Sequence, residues 1–370
     1  MTGTGGAAAG STAQGGSGAG GSSTGGSTGG SAAGGSSAAG SASAGTTGSG
    51  GSVPTSCISN EQPGTAPAST WINAASNLAN MPAGCGTLSR VAAKPCSKSI
   101  LAGVADKGLW QSDDSGQSWT ALGTGGGSAS ITNNPLSILF DPEHPDTIWE
   151  SGLFGGGGLY TSTNAGQTFQ QLGPSSMNQL LSVDFGDPER KTMVFGLHGY
   201  KQQVWRSTDG GAGWTQIGLN IPATAHNAES PLVIDAQTYL VGACGTSGDG
   251  TCAIYRTSDS GSSFNPVSDV KVSHFAAPLW ASDGTIYWPL LFSAGLAKST
   301  DLGQTWTTVI ANTVKDVTPI ELPDGSIISV GMDHIVRSTD GGVSFQNIGE
   351  TLPFAIDGGY NGGVTYSALN

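Results

Sequence analysis

One side-chain pattern recurs six times along this chain and is the first place to look for chemistry. Asp114, Asn164, Asp209, Asp259, Asp301 and Asp340 each stand two residues before a glycine and five before a Trp or Phe. A row of aspartates could ligate cations or move protons. Asn164 argues against both, because it keeps the acceptor oxygen and loses the charge. These positions therefore read as turn formers, in which a short side-chain oxygen accepts backbone N–H groups and the glycine supplies a positive φ. Other reactive types are sparse, with five histidines and five cysteines in 370 residues. No two cysteines are spaced Cys-x-x-Cys, so neither structural zinc nor a dithiol redox centre is expected, and no cofactor is implied. Cys244 with Cys252, and Cys85 with Cys96, lie close enough to staple one loop each, which suits an oxidising compartment. Cys57 is then free, or pairs with Cys85 or Cys96 in another connectivity.

The elements that must carry these residues follow from the period of the repeat. The six segments are SDDSGQSW, STNAGQTF, STDGGAGW, TSDSGSSF, STDLGQTW and STDGGVSF, and their shared glycines (116, 166, 211, 261, 303, 342) fall 39 to 50 residues apart. That interval is one four-stranded propeller blade. A short apolar strand precedes each segment, as in Gly108-Leu109-Trp110 and Ala253-Ile254-Tyr255. Asp-Pro pairs at Asp141-Pro142 and Asp187-Pro188 mark strand, turn, strand between repeats. The fold expected is an all-β propeller with almost no helix. Seven blades are favoured, the last shared between Trp71-Ile72-Asn73-Ala74 and strands at Phe354-Ala355-Ile356 and Val364-Thr365-Tyr366, since closing the ring removes exposed sheet edges. Six blades are the alternative.

Composition sets the boundaries. Residues 1–53 are rich in Gly, Ser and Ala and carry no charged or aromatic side chain. Such a stretch cannot bury enough apolar surface to offset the entropy of ordering it, so it reads as a disordered linker, with the propeller over 54–370. The formal charge of −13 belongs wholly to the propeller and disfavours nucleic acid, anionic membrane surface and polyanionic glycans as partners. No apolar run is long enough to span a bilayer, and no signal segment follows Met1. An extracellular or cell-surface monomer on a stalk is expected, with a signal segment, and a lipid anchor where there was one, removed.

The repeat resembles the Asp-box, or bacterial neuraminidase repeat, over roughly residues 85 to 350. Sialidases, xyloglucan-degrading endoglucanases, sortilin-type receptor domains and photosystem assembly factors share it. The resemblance implies that the boxes join strands three and four, and that function belongs to the opposite face, built by the turns between strands two and three and by the blade-to-blade loops. Candidates there are the carboxylates Asp106, Glu229, Asp249 and Asp333, and the ligand-binding side chains His198, Tyr200, His226, His274, His334 and Trp288. Sialidases hold a carboxylate with three clustered arginines; Arg206, Arg256 and Arg337 lie in strands leading to the boxes, so that activity is not expected. Ala105-Asp106-Lys107-Gly108 resembles the xyloglucanase loop that carries a catalytic aspartate. The leading expectation is a glycoside hydrolase acting on a neutral polysaccharide through two carboxylates, with aromatic side chains stacking on sugar rings. A non-catalytic glycan- or protein-binding module is the alternative. A polysaccharide lyase using His198 and Tyr200 is a third, poorly supplied with cations to neutralise a uronate.

Overall fold

The computed structural model describes residues 71–353 apart from 80, 82–87, 124–127, 174–177, 245–249, 274, 292–294 and 311–316. The described residues form six four-stranded antiparallel sheets, each made of strands consecutive in sequence. Blade 1 holds Leu88–Ala93, Ile100–Val104, Gly108–Ser112 and Thr120–Ala121. The first strands of blades 2 to 6 are Asn134–Phe140, Asn178–Val183, Ala228–Val233, Leu279–Trp280 and Ile320–Glu321. The described helical turns are three residues each, as at Ser76–Leu78 and Gly218–Asn220. Trp71-Ile72-Asn73-Ala74 is coil rather than the expected strand, and the C-terminal strands expected near 355 and 365 lie outside the described residues, as do the linker, Cys57 and Cys85.

The second strands of blades 2 to 6 are buried along their whole length, as in Ile148–Leu153, Met193–Leu197 and Tyr239–Ala243. In blades 2 to 5 each lies between two neighbouring blades, so both of its faces need apolar cover, which is why these strands read as continuous apolar runs instead of alternating. The box aromatics complete the cores between blades. Trp214 of blade 3 packs with Leu159, Leu172 and Phe195, Phe264 of blade 4 with Val194 and Val204, and Trp306 of blade 5 with Leu240 and Trp288. Before blade 1 the chain segment 71–81 takes this role. Leu78 packs on Trp119, and the Trp119 indole donates to the Ala74 carbonyl at 2.8 Å. The Trp71 indole reaches the Glu350 carbonyl beyond the last strand of blade 6 at 3.3 Å, tying the two ends together.

The box turns are hydrogen-bonded as their sequence implies. In the first, the Ser112 hydroxyl donates to Asp114 at 2.8 Å and accepts the Gly116 N–H at 2.8 Å, while Asp114 accepts the Ser118 N–H at 2.9 Å and its hydroxyl at 2.6 Å. Asn164 makes the same backbone contact at 3.0 Å but turns its amide toward the Thr168 hydroxyl, so the turn survives without charge. Hydrogen bonds from the serine four residues on hold Asp114, Asp259 and Asp340 down to about 2. Cations link consecutive boxes: Arg206 donates to the Ser260 carbonyl at 2.5 Å, Arg256 to that of Leu302 at 3.2 Å, and Lys298 to that of Gly341. Among the turns joining first to second strands, Arg190 grips Asp141 through two 2.9 Å bonds, a buried bidentate pair joining blades 3 and 2.

Cys244 and Cys252 are bonded, with Cα atoms 4.6 Å apart, as their short spacing implies. Cys96 is also disulfide-bonded, and the partners expected for it lie outside the described residues. One carboxyl contradicts its surroundings. Glu150, on the second strand of blade 2, is 0% exposed, and its one hydrogen bond is accepted from the Asn133 amide at 3.2 Å. Burial pushes its carboxyl well above the usual range.

Two outcomes are expected. A depressed carboxylate stabilises the fold above its unfolded pKa, near 4, and that contribution is lost as pH falls toward about 2 in the boxes. The thermal midpoint should therefore fall as pH drops below about 4, and a midpoint that keeps rising there would contradict the box assignment. Glu150 has the opposite sign: its raised pKa costs stability as pH rises past the unfolded value of about 4.3. Glu150→Gln should then raise the midpoint at pH 7, with no gain at pH 4. Equal gains at both pH values would show that ionisation is not the cause.

Candidate functional site

In blades 1, 2, 3 and 6 the turn after the second strand lies at the end of the third strand remote from the box. Asp106, His198 and His334 occupy such turns in blades 1, 3 and 6. Asp106 is exposed and left-handed, at φ +60°, and its N–H donates to the Asn133 carbonyl at 3.1 Å, tying its turn to the entry of blade 2. Thr132 donates to the Gly155 carbonyl at 2.7 Å on the same seam. A Cβ on Gly155 would stand 2.2 Å from the Thr132 carbonyl oxygen and 2.8 Å from Asp106 Oδ1, so the glycine lets the Asp106 carboxylate settle against blade 2. Asn133 in turn donates to the buried Glu150.

The densest polar arrangement lies between blades 3 and 4. The pairing of the first and second strands of blade 4 shifts register between Ala228 and Ser230, leaving Glu229 as the extra residue of a bulge. Gly196 of blade 3 faces this point, and a Cβ there would come within 2.5 Å of the Ala228 carbonyl oxygen, so the two backbones can meet only because it is glycine. Glu229, 1% exposed, then accepts the Gly199 N–H of blade 3 at 2.6 Å through Oε1. Its Oε2 stands 3.5 Å from His198 Nδ1, close enough for attraction and long for a hydrogen bond. The imidazole is flanked by Phe154 of blade 2, with ring centroids 6.4 Å apart, and by Phe275 beyond blade 4, at 5.6 Å. Phe154 and the neighbouring Tyr200 are each 49% exposed. Asn178, at the start of blade 3, pairs with Leu197 and is fully buried, yet neither atom of its amide is hydrogen-bonded to a described residue. Buried polar atoms of this kind call for a partner.

The remaining candidates are scattered. His226 is buried, accepts the Asn227 N–H at 2.7 Å, and donates its backbone N–H to the Thr251 carbonyl at 3.1 Å. It braces the loop. Asp333 lies 2.8 Å from His334 Nδ1 on blade 6, forming a second histidine–carboxylate pair. Asp249 and His274 lie outside the described residues. Trp288 is a correction: it lies within a strand, is 0% exposed, and packs edge-on against Trp306 at 5.7 Å, leaving no face for a sugar. Glu229 is likewise on a strand and not in the expected loop. No described group of three or more His, Cys, Asp or Glu side chains could hold a metal ion, and among the described residues no helix is long and apolar enough to cross a membrane. Glu150 and Phe275 do not stand out in the amino-acid sequence; adjacency to His274 is the only signal for Phe275.

No protein-family model matches this chain, and no curated protein matches it either. Solved structures do. A GH74 xyloglucanase from Xanthomonas campestris superposes with a TM-score of 0.50 at 20% identity, over 72% of this chain and 46% of that one. YCF48 from Cyanidioschyzon merolae gives 0.48 at 14% identity, over 71% and 85%. A YCF48 structure bound to D1 peptide gives 0.47 at 14%, over 70% and 80%. This chain thus spans less than half of the xyloglucanase, and at such identity the likeness is one of architecture. The chain is an all-β propeller of the kind that xyloglucanase contains.

Proposed function

We propose that this chain is an extracellular Asp-box propeller that engages a neutral polysaccharide through the face opposite its boxes. The observation that carries this reading is the His198–Glu229 pair, a partly exposed imidazole whose Nδ1 faces a buried carboxylate 3.5 Å away. The imidazole comes from blade 3 and the carboxylate from blade 4, so a ligand that reaches the ring sits at the seam between two blades on the face remote from the boxes. Phe154 and Tyr200, half exposed beside it, offer apolar faces to sugar rings. The net charge of −13 argues for a neutral glycan over a polyanionic one. The Cys244–Cys252 disulfide suits an oxidising exterior, and the xyloglucanase likeness in fold accords with a glycan ligand.

Binding without turnover is the form of this function best supported. Glu229 is too buried to act as nucleophile or proton donor to a bound sugar, and Asp333 is paired with His334. Hydrolysis is a second reading because Asp106 is exposed on a turn that resembles a catalytic loop.

A neutral glycan array followed by a reducing-end release assay separates the two. Binding to at least one neutral polysaccharide is expected, weakened about tenfold, or about 1.4 kcal/mol, by His198→Ala. Binding confined to polyanions, or unchanged by that substitution, would sink the proposal. Reducing ends released by the native chain and lost in Asp106→Asn would establish hydrolysis; binding with no release would establish the module.

A further inference from the structure

A groove of 430 Å³ lies on the outer part of blade 4, lined by Pro222, Thr224, Thr251, Tyr255, Pro266 and Asp269 among others. Its walls come from separate pieces of chain. Thr224 belongs to the connection from blade 3, Tyr255 to the third strand of blade 4, and Pro266 to the outermost strand. The walls are held rigidly. Thr251 donates its N–H to the Thr224 carbonyl at 2.8 Å and accepts that of His226 at 3.1 Å, forming a parallel bridge between Ala225 and Thr251. The Cys244–Cys252 disulfide clamps the next residue of the same wall.

We propose that this groove is a binding subsite for one neutral sugar unit, separate from the His198–Glu229 centre. Its volume lies in the range of small-ligand pockets, about 300–1,000 Å³. Its chemistry is divided as a sugar ring is divided. Pro222 and Pro266, both exposed, provide apolar surface for ring C–H groups, while the exposed Thr224 and Thr251 hydroxyls and the Asp269 carboxylate can bond ring hydroxyls. Asp269 is the one charged group in the lining, so an anionic ligand is disfavoured. The wall segment 250–252 directly precedes the third strand of blade 4, which runs from here toward its box, so the groove opens near the face that carries His198. One polysaccharide could then be held at two places, which raises its overall affinity without strengthening either contact. This inference rests on the glycan reading above.

Saturation-transfer NMR on the full chain with glucose, galactose, xylose and mannose as probes tests it. Transfer to at least one sugar is expected, reduced at least tenfold by Thr251→Trp, which fills the groove, and by Asp269→Ala, with unfolding midpoints confirming that both variants fold. No transfer to any of the four sugars, or transfer unaltered in both groove variants, would overturn the subsite. Sugar binding in the groove together with polysaccharide binding indifferent to His198→Ala would instead overturn the earlier reading alone.

Discussion

The contact between a box glycine and the blade before it is the constraint on which the rest of this molecule depends. At Gly116, Gly166, Gly211, Gly261, Gly303 and Gly342 φ lies between 79° and 93°, and an added Cβ would fall 2.4 to 2.9 Å from Ala74, Leu122, Leu172, Ile217, Leu240 and Tyr287 in turn. Both the conformation and the space therefore demand glycine. The joint works because the box residues around the glycine satisfy their own backbone. The Ser or Thr hydroxyl takes the glycine N–H and the Asp or Asn takes the N–H two residues beyond it, so the hairpin can press on its neighbour without burying an unpaired donor. The aromatic three residues on enters the core that this contact opens.

A joint made at one end of each blade frees the other. Strands locked at the box turns hold the opposite turns in place, yet those turns carry different side chains in each blade: Asp106 in blade 1, Phe154 in blade 2, His198 in blade 3, Asp333 in blade 6. Function on such a scaffold is decided by loop residues and by the few strand residues that bulges redirect. Glu229 is the case in point. Had the first strand of blade 4 run without its bulge, the carboxylate would not stand beside Gly199 and His198.

What is legible in the sequence follows the same division. The boxes carry their own geometry in eight residues, so the propeller architecture, the turn positions and the inter-blade role of the aromatics can be read from the residues alone. The Cys244–Cys252 pairing is legible for a similar local reason, since the two cysteines are separated by 8 positions of turn-rich chain. Trp288 is misread as a loop residue because a continuous apolar run, Ile286-Tyr287-Trp288-Pro289, does not reveal where strand becomes loop. Glu150 escapes notice because a polar residue between Trp149 and Ser151 suggests an outward-facing strand position, whereas here the second strand has no outward face. The segment 71–81 is expected to donate a strand and instead lays a coil and one helical turn against Trp119. Long-range partnerships of this kind leave no periodicity to find.

The central claim is that ligand meets the face remote from the boxes, around His198 and Glu229. Hydrogen exchange of the full chain with and without a saturating neutral polysaccharide identified from the array tests it directly. Slowed exchange at Gly199 and its neighbours, with the box amides Gly116, Gly211 and Gly303 unchanged, is the expected result. Protection confined to the box hairpins would place the ligand on the other face and contradict the account.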